Sequence, residues 1–336
     1  MVRDTVQGGG HIDIKRRKHM KRLIIITIAL FFLLCLSFPV HAAKIDRRAE
    51  EATNIVAGKI KQIKSFNATN KWGDDLIMSE VTLKVDKVHK GEQHDEVTLI
   101  VEGGAVGDIV LRVSSVPLFE EGEALILYLK KKDSRFEYLD SEKIPLSGAK
   151  AKPSPPSKPT LPCCKTFAKW SSLNVDYYIN PINFDMSPDC TVSDIKGGAI
   201  VWNDTSGIDL KYGGWADLAA VDSSDGNVIF FRNDPSGNTI AVTYIWYTRK
   251  GGIFAFDMIF YDQWAFFALL EGCKLLSPAC SNGFYLQTIA AHEFGHAIGL
   301  DHNRCTDSLM YPYASYCESE LLEPYDVACV QSLYGE

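Results

Sequence analysis

This 336-residue chain has no long basic run and a formal net charge of −7, so nucleic acid is not its expected partner. It also lacks an apolar run of the roughly 20 residues that a spanning helix needs. Its one membrane-like stretch, Leu23–Phe38, has 16, which excludes a multi-span transporter. No internal repeat is present. No cysteine lies between Cys35 and Cys163, and no histidine between His94 and His292. Apolar residues, by contrast, are plentiful: 46% hydrophobic and 23% charged is a globular mix, which excludes wholesale disorder. The length fits two domains of roughly 100–200 residues each.

The amino terminus reads as a targeting segment. Lys21-Arg22 precede the uncharged Leu23–Phe38, and Pro39-Val40-His41-Ala42 follows, a basic region, an apolar core and a small residue before a cut between Ala42 and Ala43. An uncleaved anchor is the alternative, and Met20 also reads as a natural start. Removal of residues 1–42 leaves 28 Lys+Arg against 40 Asp+Glu and eight of the nine cysteines, all beyond residue 160. Export implies an oxidising compartment, secreted or periplasmic, so up to four disulfides are expected. Spacing does not fix their connectivity. Cys273–Cys280 and Cys305–Cys317 are the short-loop guesses.

Residues 43–149 read as an all-β small barrel or sandwich. Ala49–Ala57 begins as a short helix or a first strand. Val81, Leu83 and Val85 alternate with polar neighbours, as do Val97, Leu99 and Val101, while the nearly continuous Ala124–Leu129 suggests a strand buried on both faces. "GGAVGDIVLRVSSVPLFEEGEALILYL" resembles a domain found ahead of secreted bacterial metalloprotease domains. Residues 150–162, with five prolines, form a stiff linker. Residues 163–336 mix both signals: strands at 173–179, 228–232, 241–247 and 253–261, and helices at 187–203, 285–299 and 323–334. Ser187-Pro188-Asp189 is a helix start.

The chemistry sits in "AAHEFGHAIGLDH". His292 and His296 are four apart, one helical turn, so both imidazoles leave one face. Glu293 sits beside the first and can reach a water on a metal without ligating it. Gly299 ends the helix and turns the chain, bringing in His302 as a third ligand. Three neutral nitrogens with one open position suit a catalytic zinc, whereas a structural zinc would be closed by four protein ligands. The extended H-E-x-x-H-x-x-G-x-x-H pattern is far more specific than its first five residues. His89 and His94 read as solvated surface residues.

With "SLMYP" at residues 308–312 and the closing "DVACVQSLYG", residues 173–335 resemble the matrixin branch of the metzincin zinc proteases. The resemblance implies an α+β, zincin-like catalytic domain with an active-site helix and a twisted, mostly parallel five-strand sheet. Its antiparallel edge strand, Ala241–Tyr247, would pair with a protein or peptide substrate, with Trp246 and Tyr247 near the cleft. It further implies one catalytic Zn2+ on His292, His296 and His302, with Glu293 as general base acting on a zinc-bound water. Met310 would form a hydrophobic floor beneath the metal, and Gly299 would permit the turn.

Two family features are missing: the histidines of a second, structural zinc, and the Pro-Arg-Cys-Gly motif of latent forms. Cys163-Cys164 are the nearest substitute ligands, although disulfide pairing explains them more simply. Asp217, Asp222, Asp225, Asp234, Asp257 and Asp262 offer oxygens of the kind Ca2+ takes. Solvated loop acids explain them equally well, and no calcium ligand is assigned. The expected function is a secreted zinc endopeptidase with no stable membrane span after signal cleavage. The alternative is a secreted binding or adhesion protein with an inactive or latent metalloprotease fold.

Overall fold

The computed structural model describes residues 47–144, 163–234, 238–269, 273, 280–319 and 322–335. The expected targeting segment (1–42) and the expected linker (150–162) lie outside them. A short helix, α1 (Arg47–Glu51), leads into β1 (Asn54–Thr69), so Ala49–Ala57 divides between helix and strand. The next strands are β2 (Asp75–Lys90), β3 (Glu96–Glu102), β4 (Gly104–Val106), β5 (Ile109–Val113), β6 (Ala124–Lys132) and β7 (Arg135–Lys143). Five of them close into a barrel in the order β1-β2-β3-β7-β6. Alternation explains its core. Val81, Leu83, Val97, Leu99, Leu125, Leu127 and Leu129 point inward and are buried, while their neighbours face out. β6 therefore alternates and is not buried on both faces: Ala124, Ile126 and Tyr128 are only half-buried. Its outward side chains happen to be apolar, which is what made the run look continuous.

β4 and β5 leave the barrel. They join a sheet built from β8 (Lys169–Trp170), β9 (Asn174–Ile179), β10 (Asp209–Trp215), β11 (Val228–Arg232), β12 (Ala241–Thr248) and β13 (Gly252–Tyr261). The order is β10-β9-β11-β13-β12-β5-β4, with β8 paired to the start of β13. β9, β10, β11 and β13 run parallel, and β12 is antiparallel to β13. A small parallel pair, β14 (Phe266–Phe267) with β15 (Phe284–Tyr285), follows.

Among the described residues the longer helices are α2 (Pro188–Asn203), α3 (Leu286–Ala297) and α4 (Pro324–Tyr334). Ser187 caps α2 by accepting the Cys190 amide, with Pro188 preorganised at the first helical position. α4 starts with a reciprocal capping box between Glu323 and Asp326. The main core lies between one sheet face and the helices, and includes Ile179, Trp202, Ile245, Phe256, Phe294 and Met310. A second core on the opposite face holds Leu111, Val113, Phe230, Tyr244, Trp246 and Ile259, covered by Leu76 and Ile77 of β2. The described residues from Arg48 onward thus pack as one unit.

Both disulfide guesses are corrected. The bonds are Cys163–Cys305, Cys164–Cys329, Cys190–Cys273 and Cys280–Cys317. Proximity along the chain misled because the sheet order, not sequence spacing, decides which loops meet.

Candidate metal centre

α3 carries His292, Glu293 and His296. It ends in a Schellman motif: the Gly299 amide donates to the His296 carbonyl and the Leu300 amide to the Gly295 carbonyl, each at 2.9 Å. The motif needs a left-handed residue, and Gly299 has φ +97°. A Cβ there would also sit 2.0 Å from the Ala168 carbonyl oxygen. The reversed chain brings back His302, and the three Nε2 atoms lie 3.1 Å from one another.

Backbone carbonyls fix the ring orientations. His292 Nδ1 donates to the Leu309 carbonyl at 2.6 Å and His296 Nδ1 to the Leu300 carbonyl at 2.9 Å, which leaves each Nε2 lone pair facing the shared point. Three ring nitrogens converging in this way, two of them with lone pairs directed inward, suit a shared cation. Tetrahedral Zn–N bonds of about 2.0–2.1 Å would space the nitrogens by roughly 3.3 Å, close to what is found. Burial, then the neighbouring His302 and His292, pushes His296 well below its ordinary pKa; burial and His292 do the same to His302. Both effects favour the neutral, ligand-competent imidazole. Among the described residues these three form the group of clustered side chains suited to holding a metal.

Met310 is buried against α3, and a Cβ on Gly295 would meet its Sδ at 2.3 Å. The turn holding it hangs on Asp326, whose carboxylate accepts the Ser308 hydroxyl and, at 3.1 Å, the Leu309 amide. Asp326 lies in the quoted closing motif, but its role shows only in three dimensions.

Glu293 is 4% exposed. Its Oε2 accepts the Thr243 hydroxyl at 2.6 Å and the Ser114 hydroxyl at 3.2 Å. Burial raises its pKa, and His292 and the two hydroxyls offset part of that rise. Sequence reasoning missed both hydroxyls. Ser114 lies 179 residues from its partner, in a stretch whose resemblance implied no chemistry of its own.

Cys163 and Cys164 are tied in disulfides and do not face the triad as ligands. Trp246 turns to the sheet face opposite α3, stacked on Tyr244, and does not line the cleft. Tyr247 stays on the α3 face beside Phe167. Asp257 accepts the Asp222 and Val228 amides, both at 2.8 Å, and Asp234 pairs with Lys71, so the loop acids lend calcium no support. His89 is exposed and His94 half-buried, both far along the chain from the triad.

Comparison with known proteins agrees with this geometry. The matrixin family model matches residues 169–335. This part of the chain is a matrixin-like metzincin domain. The sea-urchin (Paracentrotus lividus) hatching enzyme is 29% identical over 177 residues, covering 52% of this chain and 28% of that protein. Horse (Equus caballus) stromelysin-1 is 28% identical over 172 residues, covering 50% of this chain and 33% of that protein. Mouse (Mus musculus) matrix metalloproteinase-19 is 54% identical over 64 residues, covering 19% and 12%. The chain thus spans about a third or less of the length of these relatives. They are animal proteins, and they lend no support to the bacterial type suggested by the N-terminal stretch. The matrixin family implies a catalytic zinc, and the domain's histidine triad fits one.

Proposed function

We propose that this protein is an exported zinc endopeptidase, with His292, His296 and His302 as the metal ligands and Glu293 as general base. The observation that carries the reading is the convergence of three Nε2 atoms 3.1 Å apart, with the Glu293 carboxylate held on the same helix turn by Thr243. Zinc supplies Lewis acidity toward a peptide carbonyl and a water molecule. Glu293 takes the proton of the attacking water and delivers it to the leaving amine. Its buried setting, with a raised proton affinity, suits a group that must both accept and release a proton. Met310 and Gly295 pack the floor that keeps His292 and His296 in register. Retention of all three histidines and the glutamate disfavours a purely adhesive role.

Metal content and peptide cleavage test this on residues 43–336 and on Glu293→Ala. About one zinc per chain in both proteins is expected, with cleavage by the parent alone and none after chelation. Loss of zinc in Glu293→Ala would contradict a non-ligating base, and zinc-independent cleavage would contradict the mechanism.

A further inference from the structure

β12 is the sheet strand nearest Glu293, since its Thr243 hydroxyl holds the carboxylate. Whatever pairs with the outer edge of β12 at Thr243 therefore lies across the proposed catalytic group. In this chain that place is taken by β5. Ile109–Val113 runs antiparallel along Tyr244–Thr248. The ladder continues past the strand end: the Ser114 amide donates to the Thr243 carbonyl, and the Thr243 amide donates to Ser114 Oγ, both at 2.9 Å.

Alternation sends Val110, Arg112 and Ser114 to the face of α3, while Leu111 and Val113 enter the opposite core. Arg112 pairs with Asp301, the neighbour of His302, at 2.6 Å, and its guanidinium stacks 4.9 Å from the Phe167 ring. Ser114 closes the row with its hydroxyl on Glu293. An endopeptidase must take an extended chain past its base, and here an extended piece of the same polypeptide occupies that path. The Ser114 hydroxyl joins that of Thr243 on Glu293 Oε2, so the occupying segment is anchored on the proposed base itself.

We propose that residues 109–114 are a built-in occupant of the substrate groove, holding the enzyme latent by strand addition until an incoming peptide or a processing event displaces them. This rests on the endopeptidase reading and assigns its regulation.

The test follows hydrogen exchange of the zinc-loaded full chain with and without a tripeptide hydroxamate, which binds without turning over. If β5 is an occupant, the hydroxamate strips protection from the Val110, Arg112 and Ser114 amides while β12 stays protected. The Arg112→Ala/Ser114→Ala double variant should then bind the hydroxamate roughly tenfold tighter, because the competent fraction rises, and should cleave a reporter peptide faster. Hydroxamate binding with the β5 amides still protected would overturn the proposal and leave the endopeptidase reading standing. A folded double variant whose β5 exchanges freely, yet takes up no hydroxamate and cleaves nothing, would sink both. The exchange experiment uses the unaltered protein, so it decides even if the variant does not fold.

Discussion

At the scale of single residues, two glycines show how closely the site is fitted. Gly295 leaves room for the Met310 thioether between the two helical histidines, and Gly299 supplies the left-handed turn that returns His302 to them. Gly299 is constrained twice, by its φ and by the Ala168 carbonyl. Gly299→Ala is therefore expected to cost on the order of 3 kcal/mol, and to weaken zinc binding because His302 is displaced. Denaturant titration with a zinc-affinity measurement checks this; an unchanged zinc affinity would mean that the turn tolerates a side chain and that its geometry does not set the triad.

Among the elements, the site depends on pieces clamped from far away in sequence. Cys163–Cys305 and Cys164–Cys329 tie the first described residues of the metzincin part to the loop after His302 and to α4. α4 in turn holds the Met310 turn through Asp326. Cys164 and Cys329 are 165 residues apart, so the bond removes much freedom from the unfolded chain. Replacing both by alanine should cost about 2–4 kcal/mol and lower the melting temperature. Calorimetry showing no such loss would remove the disulfide from the set of stabilising contacts.

For the whole molecule, the long β1–β2 hairpin reaches the sheet through one buried ion pair. Arg232 of β11 grips Asp74 at 2.7 and 3.0 Å, and the Val221 amide adds a third bond at 3.0 Å. Burial raises the Asp74 pKa, but the hydrogen bonds from Arg232, Val221 and Asn70 and the Arg232 charge outweigh it and hold it below the usual carboxylate range. A depressed folded pKa gives stability that is present above the unfolded value of about 4 and lost as pH falls through the folded one. Asp74→Asn should thus cost about 3 kcal/mol at pH 7, by stranding a buried guanidinium. The gap between the two proteins should begin to narrow below about pH 4 and go on narrowing as pH falls toward the lowered folded pKa. Urea titrations at pH 7 and pH 3 measure it, and a gap as large at pH 3 as at pH 7 would show that the carboxylate charge is not its source.

The sequence alone determined what local geometry dictates. A helix puts His292 and His296 on one face at any four-residue spacing, Gly299 must end it, and Ser187 must cap α2, because each outcome depends on neighbours within one or two turns. Alternation likewise marked β2 and β3. It failed at β6, where apolar residues on the outer face hid the period. Only the tertiary structure decided which cysteines pair, that Trp246 faces away from α3, and that β5 lies along β12 with Ser114 on Glu293. Those facts depend on strand order and on contacts between residues up to 179 positions apart. No local pattern encodes such contacts, because the energy that selects them comes from burying whole faces against each other.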